Sequence, residues 1–229
     1  MLDTGDALVG SGKLGTKTQG QVIVMGMNLM NYDAMALGPK ELSLGVDLLR
    51  QQMGEASFAI LSANAVLAGS EELVAEPYTI LDVGGHKVGI IGLTRMEAAA
   101  PSGFQVLDAH EAAKRYVPEV REKAGTVIVL SNLENSAALA LARAVPGIDL
   151  VVGALPSGSP TQSLRVPDTG TLVVVADLAM TGHSGRRVGV LRVTLGSDGS
   201  LSGETWSSPW LDKTIPDDLV MQALLDKYR

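Results

Sequence analysis

The sequence predicts an α/β domain, and three observations carry that reading. Apolar runs of strand length, TVIVL (126–130) and IDLVV (148–152), alternate with helical patterns at 109–124 and 137–145, the order expected of βαβ units in a sheet covered on both faces. A length of 229 residues suits one large domain, 1–229, with no internal repeat and no linker-like stretch. Hydrophobic residues make up 46% but aromatic ones only 3%, so the core has to be built from Val, Leu, Ile, Ala and Met.

From the first residue, a very short apolar start leads into LDTGDALVGSGKLG, a Gly-rich polar loop that holds Asp3 and Asp6. QVIVMGMNLM (21–30) keeps a three-to-four spacing at Val22, Met25, Asn28 and Leu29 and predicts a helix, after which 31–37 reads as a short strand. The stretch 28–50, NLMNYDAMALGPKELSLGVDLLR, organises the chain. It joins an apolar segment to a helix through a turn of Gly, Pro, Lys and Glu, and such loops at the carboxyl ends of strands are where open α/β folds hold ligands. That helix is expected over 42–54, with Ser43 as its cap and Val46, Leu48, Leu49 and Met53 on its apolar face.

SFAILSA (57–63) is a further strand, and 78–83 with 87–93 form a hairpin through Gly84-Gly85-His86, residues suited to positive φ. Pro118 is expected to kink the 109–124 helix or mark its boundary. Pro146-Gly147 ends the 137–145 helix before the IDLVV strand. Strands at 171–176, 187–195 and 201–206 follow, the last two joined by a turn at 196–199. The segment 215–228 closes as an amphipathic helix with Pro216 in its first turn and Leu219, Ala223 and Leu224 inward.

Composition excludes several functions. A formal net charge of -7 argues against a nucleic-acid backbone as partner, because that needs clustered Lys and Arg. No Cys is present, which removes disulfides, thiolate ligands and thiol nucleophiles. No apolar run reaches the roughly 20 residues of a membrane span, and no signal-peptide pattern opens the chain, so a soluble protein is expected with its compartment undecided.

Motifs are few. GSGKLG (10–15) lacks the Gly-Lys-Ser/Thr ending of a phosphate-binding loop. His86 reads as an exposed hairpin residue, His110 as a first-turn helix residue and His183, in TGHSG, as a surface turn residue; three elements so far apart in sequence make no metal site by spacing. Ser131 and Ser157 have no identifiable base. Asp33 and Asp149, inside strand segments, are expected to fix local backbone by hydrogen bonds.

In this order and at these spacings, LDTGDAL, MNLMNYDAMALGPKELSLGVDLL, FAILSAN, VGIIGLT, TVIVLSNL and GIDLVVG resemble the catalytic domain of calcineurin-like metallophosphoesterases, in the branch of 5'-nucleotidases and UDP-sugar hydrolases. The resemblance implies a four-layer α/β/β/α metallophosphoesterase-like sandwich. It further implies two divalent metals, held by five loops, that polarise a phosphate ester and activate water.

Compared loop by loop, the family's opening Asp-x-His has no counterpart here, so the opening strand is expected to be missing. Asp6 falls where the bridging carboxylate lies. Where the family reads Gly-Asn-His-Glu, this chain has Gly38-Pro39-Lys40-Glu41, so an amide ligand becomes Pro39 and the catalytic imidazole becomes Lys40. Asn132 stands in place of a His, and the Gly-His-x-His loop reads Gly153-Ala154-Leu155-Pro156-Ser157. One carboxylate cannot hold two metals against their hydration. Lys40 is expected to pair with Asp6 or Glu41 and fill the site with an internal ion pair; facing a cleft instead, Lys40 with Glu41 and Asn132 would meet an anion such as a phosphate.

Two functions follow from the resemblance. One is a degenerate domain without catalysis that acts as a binding or interaction module and needs no cofactor. The other is a metal-dependent phosphoester or nucleotide hydrolase with a rearranged or single-metal site on Asp6, Glu41 and Asn132, using Mn, Zn or Mg. A phosphate-containing small molecule is the expected ligand, and a homodimer or partner chain is expected to cover the sheet. The resemblance suggests a periplasmic or extracytoplasmic location.

Overall fold

A computed structural model describes residues 1–9, 13–97, 100–153, 162–175 and 187–228. In chain order its elements are β1 (Leu2–Asp3), α1 (Lys13–Lys17), α2 (Gln21–Leu29), β2 (Ala34–Ala36), α3 (Pro39–Leu42), α4 (Val46–Glu55), β3 (Ala59–Leu61) and β4 (Ala65–Leu67). Then come β5 (Tyr78–Val83), β6 (His86–Leu93), β7 (Phe104–Val106), α5 (Ala109–Arg121), β8 (Thr126–Ser131), α6 (Asn135–Ala144) and β9 (Leu150–Gly153). The last are β10 (Gln162–Arg165), β11 (Leu172–Val175), β12 (Val190–Leu195), β13 (Leu201–Ser207) and α7 (Leu219–Asp226).

The strands β1-β2-β3 form one parallel sheet. A second sheet has the order β10-β11-β9-β8-β6-β5, parallel in its middle and closed at each edge by an antiparallel strand. Side chains alternate across a strand, and the two sheets use that alternation to make three packed interfaces. Ala34, Ala36 and Leu61 of the first sheet meet Val88, Ile90 and Leu130 of the second. The other face of the second sheet, with Ile91, Val127, Val129, Val151 and Val173, carries Val117 and Val120 of α5 and Leu141 of α6. The other face of the first sheet, with Met35 and Ile60, carries Val24 and Met27 of α2 and Leu49 of α4. The layers are therefore α/β/β/α, as expected from the sequence.

The glycines of KVGIIGL now have a packing reason. A Cβ on Gly92 would lie 2.4 Å from the Leu61 carbonyl oxygen across the inter-sheet gap, and one on Gly89 would lie 2.1 Å from Val120 Cγ1 of α5. Each glycine lets a neighbouring layer approach β6 on its own side.

Several elements differ from expectation. The helix expected over 42–54 is two, α3 and α4, because Gly45 adopts a left-handed φ of 81° between them. Ser43 does not open the helix but closes α3 as its C-terminal cap residue, its hydroxyl donating to the Lys40 carbonyl at 2.6 Å, and the residue preceding α4 is Gly45. Pro118 sits inside α5, which continues to Arg121. The last helix is shorter than 215–228, starting after Asp218, whose Oδ1 accepts the Val220 and Met221 N–H groups at 2.9 Å.

The inward face of α7 also differs from the one its sequence predicts. Leu219 is 78% exposed and Ala223 is exposed, while Leu224 is buried. The helix leans on α2 through Met221 against Gly26 and through the Tyr228 hydroxyl, 3.3 Å from Met25 Sδ, and that contact selects a different stripe. His86 opens β6 half-buried instead of sitting exposed in the turn. The strand β10, too polar to show an apolar pattern, is recruited as an antiparallel edge by β11.

Candidate functional site

The carboxyl ends of β1, β2, β6 and β8 converge, and hydrogen bonds between the loops that leave them define the place. Thr94, after β6, donates its hydroxyl to the Leu37 carbonyl at 2.9 Å and shares a 2.8 Å contact with the Ser62 hydroxyl after β3. Asn132, after β8, donates from Nδ2 to the Thr4 carbonyl at 2.9 Å. Five segments remote in sequence, those that follow β1, β2, β3, β6 and β8, thus form one rim.

At its centre, Gly5 (φ 91°) and Asp6 (φ 61°) turn the chain through two successive left-handed residues. That conformation is unfavourable for a residue with a side chain and persists only when its surroundings over-determine it. Glu41 supplies the constraint. Its Oε2 accepts the Asp6 and Gly38 N–H groups at 2.8 Å each, and its Oε1 accepts the Leu8 N–H at 2.9 Å. Gly38 must be glycine, since a Cβ there would lie 2.3 Å from Asp6 Oδ1.

The Asp6 carboxylate, 18% exposed, is engaged by protein donors on both oxygens. Oδ1 accepts the Lys40 main-chain N–H at 2.9 Å. Oδ2 lies 3.5 Å from Arg95 Nη2, which is also 3.3 Å from Glu97 Oε1. Burial pushes the Glu41 carboxyl up to about 7, against the pull of its three N–H donors, and the Asp6 charge adds to the rise. Asp3 is also raised, first by burial and further by Asp6, while the Gly5 N–H holds it down.

Two expectations about this site need correction, and one residue of it was not expected. The Lys40 side chain is exposed and its ammonium makes no ion pair among the described residues; only its main chain reaches Asp6. Glu41 is fully buried and is a staple between two loops, not a cleft residue, because every oxygen it has is turned to backbone N–H groups. The cation beside Asp6 is Arg95, which belongs to no motif in the sequence. Its one signal was position: it follows VGIIGLT, a strand whose carboxyl end lies level with the other loops.

Asn132 is 2% exposed, and its Oδ1 is buried without a hydrogen-bond partner among the described residues. Asp149 and Asp33 are remote from the rim. Asp149 accepts the Val127 N–H at 2.7 Å and pairs with Arg121, a backbone-fixing role as expected. Leu155 and Ser157 of the fifth loop, and His183, lie outside the described residues.

The described residues do not fit a two-metal centre. Such a centre needs several carboxylates and imidazoles with free lone pairs turned inward. Here the oxygens of Asp6 and Glu41 are turned to protein donors, and among the described residues no group of three or more His, Asp or Glu could hold an ion. The clefts lined by Met53, Ile60 and Tyr78 and by His86, Arg121 and Asp198 are elsewhere in the molecule.

No protein-family model matches the chain. It is 29% identical to human 5'-nucleotidase over 252 residues, covering 100% of this chain and 43% of that protein. It is 30% identical over 192 residues to the trifunctional nucleotide phosphoesterase YfkN of Bacillus subtilis, covering 67% of this chain and 13% of that protein. The crystal structure of the 5'-nucleotidase precursor of Thermus thermophilus superposes with a TM-score of 0.84 at 28% identity, over 99% of this chain and 48% of that one. The chain thus spans less than half the length of these relatives. With the layer order, the rim of parallel strand ends and these similarities in agreement, the chain belongs to the calcineurin-like metallophosphoesterases of the 5'-nucleotidase branch.

Proposed function

We propose that this domain keeps the 5'-nucleotidase-type scaffold without two-metal phosphoester hydrolysis, and serves as a binding or interaction module. The observation that supports this most is the engagement of Asp6 by the Lys40 N–H and the Arg95 guanidinium. A divalent ion at Asp6 would have to displace a cation that is already there and would meet no imidazole from Lys40 or Asn132. Nucleotides, which the relatives' names mention, are the first phosphate-containing ligands to try. A location outside the cytoplasm is supported by relatives described as a venom 5'-nucleotidase and as a 5'-nucleotidase precursor. No helix of the described residues is long and apolar enough to cross a membrane.

The experiment is metal analysis of the purified protein together with turnover of a nucleoside monophosphate and a generic phosphate monoester in Mn or Zn. Substoichiometric metal and background turnover are expected. Changing Pro39→Asn and Lys40→His together should not start turnover, since Asn132 would still replace an imidazole. Stoichiometric metal with turnover abolished by Asp6→Ala would establish a rearranged hydrolytic site instead.

A further inference from the structure

We propose that the end of the β12–β13 hairpin away from its turn is a carboxylate-binding site built on Arg187, Trp206 and Ser208. It shares no residue with the rim around Asp6, so it stands whether or not that rim hydrolyses a phosphoester. Register defines the place. Arg187 bridges to Trp210 and Val190 pairs with Ser207, which sets Gly189 opposite Ser208 and, one step further in, Leu191 opposite Trp206. Side chains alternate along a strand, so these six residues lie on one face of the hairpin. At its inner end Leu191 and Trp206 pack on Leu150, Leu172 and Val174 of the second sheet, and at its outer end Trp210 is 51% exposed.

This face holds three hydrogen-bond donors and, among the described residues, no acceptor for them. Arg187 Nε, the Trp206 indole Nε1 and Ser208 Oγ are each buried without a partner. The guanidinium is fixed in place: Nη1 donates to the Ser208 carbonyl at 2.9 Å, and Cζ lies 4.0 Å from the centre of the Trp210 ring. A buried donor with no acceptor has given up its hydrogen bonds to water and gained none. Three of them at one place leave the face incomplete until an acceptor arrives.

A carboxylate is the group that fits. When ionised it only accepts, and its two oxygens offer about four lone-pair positions to the donors. One guanidinium matches its single negative charge, and such charge-assisted bonds are the strong ones. A phosphate monoester would bring further charge that Arg187 alone does not balance. Gly189 and Ser208, the small residues at the centre, leave room between Leu191 and Arg187. Because all three donors are shielded from solvent, entry requires the ring of Trp210, the exposed member of the six, to move outward. That ring then forms a solvent-side wall, so an aromatic carboxylate gains contact that a small aliphatic one lacks.

Sodium benzoate, sodium acetate and sodium phosphate would be titrated into the whole chain at neutral pH and constant ionic strength, followed by proton–nitrogen correlation spectra. The chain has two tryptophans and so two indole N–H signals, and Trp210→Phe identifies that of Trp206. Benzoate should move the Trp206 signal saturably downfield, acetate should do so with lower affinity, and phosphate should leave it in place. Arg187→Gln should weaken benzoate binding by about tenfold or more, the scale of one hydrogen bond to a charged group, and Ser208→Ala by about two- to fivefold. If Arg187→Gln does not fold, Arg187→Lys, which keeps the charge and loses the Nε–H donor, should show the same direction of loss. A Trp206 signal that does not respond to benzoate, an equal response to phosphate, or unchanged benzoate affinity in the Arg187 variant would overturn the site.

Discussion

Glu41 shows how a single residue can change its meaning between sequence and structure. In the sequence it is an acid beside Lys40, a candidate for a cleft; in the fold it is 0% exposed and holds Asp6, Leu8 and Gly38 by their N–H groups. Its folded pKa is raised to about 7 from an ordinary 4.5, so between those values the native protein holds a proton that the unfolded chain has released. Stability from this group is therefore full below about 4.5 and is lost as pH rises through about 7, by a few kcal/mol in all. Asp3, also raised by burial, acts in the same direction. Urea unfolding measured from pH 4.5 to 8 should show this fall, and Glu41→Gln should flatten it. The same substitution should cost about 1–3 kcal/mol at pH 5, because a carboxamide turns an N–H donor toward one of the three backbone donors.

Among the elements, β6 carries the clearest constraint. Its alternation places Val88 and Ile90 between the sheets and Ile91 among the α5 and α6 side chains, which the run KVGIIGL announces. The need for glycine at 89 and 92 was not legible, since it comes from atoms of Val120 and Leu61 that no local pattern reveals. Gly92→Ala should destabilise by about 1–3 kcal/mol or more, as overpacking against a backbone carbonyl does, and a thermal melt would show it. An unchanged Tm would mean that the sheets separate there at little cost. The division of the expected 42–54 helix has the same origin. Helical periodicity runs across Ser43 and Leu44, but Gly45 turns left-handed so that α3 can stay at the rim while α4 packs on the first sheet.

For the whole molecule, the two-sheet sandwich depends on a thin interface. Ala34 and Ala36 are small, and Leu61 fills the space between them and Val88, Ile90 and Leu130. Leu61→Ala should therefore leave a void shared by both sheets and cost about 2–5 kcal/mol, measured by denaturant titration. A smaller loss would mean that the sheets collapse onto the gap. Periodicity and apolar runs were enough to find the central strands β6, β8 and β9 and the helices α2, α5 and α6, because burial on a given face repeats at a fixed spacing. Edge strands such as β10, and the buried stripe of α7, escaped because the partner across the contact chooses them.

Residue type and order alone carried the fold class and the family, and the resemblance they support implies that Pro39, Lys40 and Asn132 stand at ligand positions. Only the tertiary structure decided which cation meets Asp6 and which acid is a staple. Lys40 is next to Glu41 in the chain yet extends to solvent, whereas Arg95, far along the chain, arrives beside Asp6 because β1 and β6 end at the same rim. Charge pairing depends on distance in space, and the packing of two sheets sets that distance.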